Sequence, residues 1–128
     1  VEGAGATPLA ALIAGKLPEL AGHKVVLTLC GGNIDTNMLG RVLDVGLVAD
    51  GRLTRFTVSV LDRPGGLARL TATIAQAGAS IHELTHDRTF AGPRLSEVRV
   101  VCVVETTGAE HVRELHAALR GAGFDVGD

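Results

Sequence analysis

Three groups of residues have types and spacing that chemistry could use. The first is Leu-Cys-Gly-Gly-Asn-Ile-Asp at 29–35. The apolar run Lys-Val-Val-Leu-Thr-Leu-Cys at 24–30 leads into it. Such a run reads as a buried strand of a parallel sheet whose end opens on a cofactor site. Gly31 and Gly32 would let the backbone turn sharply. Asn33 and Asp35 suit a turn and a helix cap. The competing reading of Cys30 is a buried, inert thiol. A Cys–His nucleophilic pair lacks support, because nothing in the sequence places a histidine near Cys30.

The second group is Leu-Asp-Arg-Pro-Gly-Gly-Leu at 61–67. Free N–H groups of Gly65, Gly66 and Leu67 at a helix N-terminus can receive a carboxylate. Pro64 stiffens the approach, and Asp62 could pair with an ammonium. The simpler reading is a helix start capped by Asp62. The third group is His82, His86 and Asp87. Their segment reads as a strand, so the two imidazoles share a face roughly 13 Å apart, at about 3.3 Å per residue, and cannot chelate one ion. No metal is expected. His111 and His116 read as surface positions of a helix.

The elements that must carry these residues follow from patterning. Residues 7–15 read as a helix with Thr7 as N-cap, Pro8 at the first position and Gly15 as the stop. The strand at 24–30 comes next, then a helix capped by Asp35 that runs to about Val45 and stops at Gly46. Helix, strand and helix cannot close a sheet alone, so residues 1–46 look like the last portion of an α/β domain. Ala49–Arg52 is a turn, within a linker at 47–52.

From residue 53 to 128 the pattern changes. Phe56, Val58 and Val60 alternate on one face of a strand. A helix stopped by Gly78 follows, with Leu67, Leu70 and Ile74 on one stripe. Residues 79–88 and 95–105 are strand-like, and Val98, Val100, Cys102 and Val104 can face the helices. A second amphipathic helix carries Val112, Leu115 and Leu119, and Phe124–Val126 adds a short strand. This is β-α-β-β-α-β, a ferredoxin-like α+β fold with an antiparallel sheet and both helices on one face. Val101 and Val103 on the other face suggest a partner surface, so a homo-oligomer through the sheet is expected; the competing reading is two valines tolerated on an exposed sheet.

Composition narrows the function. The chain has 128 residues, 46% hydrophobic and 20% charged, with a net charge of −2. Aromatics are 2%, with no Trp or Tyr and no basic stripe, which argues against a nucleic-acid partner. No apolar stretch reaches the roughly 20 residues of a membrane helix, and no signal peptide is visible. Two cysteines in apolar runs suit reduced thiols and a cytoplasmic setting. The chain starts with Val1 rather than Met, a hint that it was cut from something longer.

Two motif sets carry a resemblance. Val-Glu-Gly-Ala-Gly-Ala at 1–6, residues 24–35, and the run from Leu39 to Val58 resemble the C-terminal end of the fold-type II pyridoxal-phosphate dehydratases of threonine and serine. Residues 60–88 and 97–126 resemble an ACT domain, a small amino-acid-binding regulatory module. Together they resemble the tail of a threonine dehydratase (threonine ammonia-lyase) carrying a single ACT domain.

The resemblance implies a parent that converts L-threonine to 2-oxobutanoate and ammonia with pyridoxal 5′-phosphate, in isoleucine biosynthesis. It implies that Cys30 hydrogen-bonds the pyridine nitrogen of that cofactor, beside Gly31 and Gly32. Glu2 matches a family position at the end of a catalytic-domain strand, although a solvated terminus explains it equally. The family's aldimine lysine and phosphate loop lie upstream, and Lys16 and Lys24 do not match that motif. No catalysis, and no cofactor, is therefore expected of these residues alone. An amino-acid effector, isoleucine or valine, is implied at Asp62, Pro64, Gly65, Gly66 and Leu67. Ser80 and Ile81 form the second contact region, where the family often carries Asn in place of Ser80. The rival identity is a free-standing amino-acid-sensing ACT protein.

Overall fold

The computed structural model describes residues 1–88 and 96–127. Leu95, at the head of one expected strand, lies outside the described residues. The chain divides into two units, Val1–Leu43 and Asp44–Asp128.

In the first unit, helix α1 spans Gly3–Ile13. It starts four residues before the expected Thr7. Thr7 is inside the helix, and its hydroxyl donates back to the Gly3 carbonyl at 3.1 Å. Pro8 is interior too, where its missing N–H leaves the Ala4 carbonyl without its helical donor. The stop is as expected: Gly15 takes φ +62, and the N–H groups of Gly15 and Lys16 close back on Leu12 and Ala11.

Residues 24–30 form no strand. An apolar β-branched run becomes a strand only when a neighbour receives its backbone groups, and the first unit contains no other strand among the described residues. Val26 is 94% exposed, and Cys30 is exposed rather than buried.

Asp35 caps the next helix, α2 (Thr36–Ala49). Its Oδ1 accepts from the N–H groups of Asn37 at 2.9 Å and Met38 at 3.1 Å. The helix passes Gly46 and ends at Ala49, because the left-handed residue that closes it is Gly51, at φ +66. It therefore runs through 47–49, half of the expected linker.

The second unit holds β1 (Leu53–Leu61), α3 (Gly66–Gln76), β2 (Ser80–Asp87), β3 (Glu97–Glu105), α4 (Ala109–Gly121) and β4 (Asp125–Gly127). The four strands form one antiparallel sheet in the order β2-β3-β1-β4. Central pairs such as Phe56 with Cys102 and Val58 with Val100 set the register. Phe56, Val58, Val98, Val100, Cys102 and Val104 are buried with Leu70, Ile74, Leu115 and Leu119 of the two helices. Fully burying one such side chain is worth about 1.5–3 kcal/mol, so this stripe dominates the domain's stability. Leu67 does not join it and stays 37% exposed.

A β-bulge falls between Ile81 and Glu83. It breaks the alternation expected of His82 and His86, and His82 Nδ1 lies 3.5 Å from a Glu105 carboxylate oxygen on the exposed surface. On the sheet's opposite face Val101 and Val103 are half-buried, with Arg55, Glu83 and Thr85 beside them.

Candidate functional site

The loop from β1 to α3 is built by its glycines. The Asp62 N–H donates to the Ser96 carbonyl at 2.9 Å, which prolongs the β1–β3 pairing by one residue. The Gly66 N–H then donates to the Arg63 carbonyl at 3.1 Å, closing a turn. Gly65, at φ +89, is the N-cap of α3 and offers no side chain. A Cβ on Gly66 would lie 2.5 Å from the Leu61 carbonyl oxygen, so the loop folds tightly onto the strand end.

Two expectations change here. The Gly66 N–H is occupied within the turn, which leaves the N–H groups of Gly65 and Leu67 without a backbone partner among the described residues. Asp62 does not cap the helix. Its Oδ1 accepts from Arg88 Nη2 at 3.2 Å, across the end of β2. Both residues sit one position past the ends of strands that flank β3, so the topology makes them neighbours. The sequence signal for Arg88 was that placement, which the strand pattern alone supplies.

The loop separates two grooves. On the β2 side a groove of about 660 Å³ is lined by Asp62, Pro64, Leu67, His86, Arg88 and Val98. On the β4 side one of about 710 Å³ is lined by Arg63, Gly66, Arg69, Glu97, Phe124 and Asp125. Arg69 is already engaged: its guanidinium lies 4.7 Å over the Phe124 ring and donates to the Ala122 carbonyl at 3.2 Å. Of the arginines around this loop only Arg63 stands in the 61–67 motif; Arg69 and Arg88 lie outside it.

Ser80 and Ile81 are not brought to the loop within the chain. They pair with Glu105 and Val104, whereas Leu61, which leads into the loop, pairs with Glu97. That is the length of β3, roughly 26 Å at about 3.3 Å per residue.

In the first unit the Glu2 N–H donates to the Gly31 carbonyl at 3.1 Å. Gly31 has φ +80, and a Cβ there would lie 2.7 Å from Glu2 Cγ. A Cβ on Gly5 would overlap the Cys30 carbonyl oxygen. Gly5 thus receives the Cys30 carbonyl at contact distance, and Gly31 lies against the Glu2 side chain. Gly32 faces open space and the Cys30 thiol is exposed, which fits one contact to the edge of a heteroaromatic ring. Nothing among these residues forms a phosphate cradle, so they do not fit a whole cofactor site.

The two thiols differ in chemistry. Burial pushes the Cys102 thiol up to about 11, so at pH 8 only about one in a thousand is thiolate. An aromatic disulfide reagent is expected to modify one thiol per folded chain, at Cys30, and the second only on unfolding. Modification of Cys102 at the rate of Cys30 would contradict the core. Among the described residues no three His, Cys, Asp or Glu side chains converge as a metal site, and no helix is long and apolar enough to cross a membrane.

The βαββαβ order and the glycine loop between two grooves define a ferredoxin-like α+β module with a candidate ligand site at the end of β1. Residues 54–121 match the family model described as ACT domain, and this chain belongs to that family. It is similar to an L-threonine ammonia-lyase of Geobacter sulfurreducens, 44% identical over 126 residues, covering 98% of this chain and 31% of that protein. An L-threonine ammonia-lyase of Thermotoga maritima is 36% identical over 125 residues, again covering 98% of this chain and 31% of the relative. The chain therefore spans about a third of the length of the curated relatives it matches, and the match takes in the first unit as well as the ACT domain. Among solved structures, the ligand-free regulatory subunit of aspartate kinase from Thermus thermophilus is 19% identical, over 58% of this chain and 51% of that one, with a TM-score of 0.37.

Proposed function

We propose that this chain is the C-terminal regulatory portion of a cytoplasmic, pyridoxal-phosphate-dependent threonine ammonia-lyase, which converts L-threonine to 2-oxobutanoate and ammonia. Its ACT domain would sense a branched-chain end product, isoleucine or valine, and the chain by itself would not be catalytic. One observation carries the reading: similarity to the two ammonia-lyases runs through 98% of the chain, including the Cys30–Gly32 unit that a free-standing sensor has no use for. In the parent, Cys30 would meet the pyridine nitrogen of the cofactor, with Gly31 and Gly32 allowing the close approach. The exposed apolar residues Val26, Leu29, Met38 and Val42 support this, since the rest of a catalytic domain would cover them.

For the effector we favour the β2-side groove. The unengaged N–H groups of Gly65 and Leu67 would take the carboxylate. Asp62, shared with Arg88, would take the ammonium, Pro64 and Leu67 would shape the wall, and Gly66 would close the turn that aims the two N–H groups. Ser80 and Ile81 would come from a second copy. β2 is an edge strand of the sheet, and antiparallel pairing of two such edges about a two-fold axis between Glu83 and Leu84 would set Ser80 of one copy opposite Asp87 of the other. That arrangement gives the expected homo-oligomer a reason.

The test is calorimetric titration of the chain with isoleucine, valine, threonine and serine, with its mass in solution recorded alongside. Saturable binding of a branched-chain amino acid to a dimer is the expected result. A folded chain that binds none of the four would remove the effector assignment and leave the parentage standing.

A further inference from the structure

Thr106 is a buried polar residue beside the core of the second unit, 8% exposed. Its N–H donates to the Arg52 carbonyl at 2.9 Å, and its hydroxyl donates to the Gly51 carbonyl. Both carbonyls belong to the turn that closes α2. Gly51 must be glycine there for a second reason besides its positive φ: a Cβ would lie 2.8 Å from the Ala109 nitrogen, the first residue of α4. The end of α2 is thus seated on the start of α4.

His111, in the first turn of α4, continues the connection. Its Nδ1 accepts the Thr107 N–H at 3.1 Å, and its Nε2 lies 2.7 Å from the Ala77 carbonyl at the end of α3. The tautomer follows from this network: with Nδ1 as acceptor, Nε2 carries the proton and donates to Ala77. A Cβ on Gly78 would lie 3.8 Å from the same ring nitrogen, and Ser80 begins β2 two residues on. A run of polar contacts therefore leads from the α3–β2 turn, through His111, Thr107 and Thr106, to the closing turn of α2.

We propose that His111 and Thr106 couple the α3–β2 turn, which leads into Ser80 and Ile81 at the start of β2, to the C-terminal turn of α2, so that occupation at Ser80 and Ile81 is felt where the ACT domain is tethered. The coupling to an effector rests on the site reading above; the mechanical link does not. His111 is a positioning residue here. Its donor holds the α3 end, its acceptor holds the α4 start, and Thr106 passes the position of that start to Gly51 and Arg52. Polar contacts suit this role, because a hydrogen bond made or lost is a discrete change, whereas apolar packing tolerates small slides.

The test is a double-mutant cycle on the 128-residue chain, read by amide hydrogen exchange. Gly78→Ala strains the turn at φ +82. His111→Glu keeps an acceptor for the Thr107 N–H and loses the donor to Ala77. Gln at 111 offers both. Gly78→Ala is expected to speed exchange at the Gly51 and Arg52 amides about tenfold more than at the Val58 and Val100 amides of the sheet. In the His111→Glu background it should add no such excess, and in the His111→Gln background the excess should return. Equal excess in all three backgrounds, or none in the first, overturns the link. Adding isoleucine then separates the two readings. Slowed Arg52 exchange in the parent chain but not in His111→Glu, with binding retained in both, supports the coupling. Binding without any change at Arg52 overturns it. Absence of binding removes the effector assignment and leaves the cycle to decide the link.

Discussion

Phe56→Ala is expected to remove a large share of the ACT domain's stability margin. Phe56 is fully buried in the middle of β1, opposite Cys102, with the His116 ring packed edge-on at 5.0 Å. Truncating a core phenylalanine costs about 3–5 kcal/mol, through lost transfer energy and the cavity left behind. Domains of this size hold roughly 5–15 kcal/mol in total. The urea midpoint should therefore fall by about 40% at mid-range values, with little change in slope, since the surface exposed on unfolding is nearly the same. The chain lacks Trp and Tyr, so far-ultraviolet circular dichroism is the suitable probe. Val101→Ala, on the half-buried opposite face, provides the contrast, with an expected cost of about 1 kcal/mol or less. Equal midpoints for the two variants would mean that the core does not lie on the helix side of the sheet.

The same residues show why the ACT half was legible. A strand with one buried face repeats every two residues, and Phe56-Thr-Val58-Ser-Val60 and Val98-Arg-Val100-Val-Cys102-Val-Val104 state that period directly. Stripes at Leu70 and Ile74, and at Leu115 and Leu119, state the helical one. The first unit was less legible because its signals are conditional. An apolar run at 24–30 reports a tendency to be buried, and a strand also needs a neighbour that this unit lacks among the described residues. The end of α2 failed for a different reason. Gly46 reads as the stop and Gly51 as part of the following turn, and only backbone conformation separates them: Gly51 takes a positive φ and Gly46 stays helical.

The candidate site was legible where it is local. Pro64-Gly65-Gly66 announces a tight turn into a helix, and that turn is present. Its partners are distant in sequence: Arg88 lies 26 residues beyond Asp62, and no short-range pattern ties them. Ser80 and Ile81 were placed by resemblance, which supplies identity without distance, so their separation from the loop along β3 emerged only with the register. His111 had no signal at all. A histidine on the polar side of an amphipathic helix looks solvated, and its two partners, Thr107 and Ala77, come from different segments.

Gly66→Ala tests the groove with the smallest possible change. The added Cβ would meet the Leu61 carbonyl oxygen at 2.5 Å and Val60 Cγ1 at 3.0 Å. Neither can retreat easily: Leu61 and Val60 are held in register against Glu97 and Val98, and Val60 is buried. The loop must shift instead, opening the Arg63–Gly66 turn and re-aiming the Gly65 and Leu67 N–H groups. Two aligned donors to a carboxylate are charge-assisted bonds of about 1.5 kcal/mol or more each. Losing their alignment should weaken branched-chain amino-acid binding about 100-fold, at about 1.4 kcal/mol per tenfold. Gly65→Ala separates strain from space. It carries φ +89 with no atom within 4 Å of the new Cβ, so it should lower stability by about 1–2 kcal/mol while changing affinity less. Calorimetry on both variants, with a denaturation curve for each, reads the two effects apart. Unchanged affinity in a folded Gly66→Ala chain would place the effector away from this loop, whose turn also forms one wall of the β4-side groove.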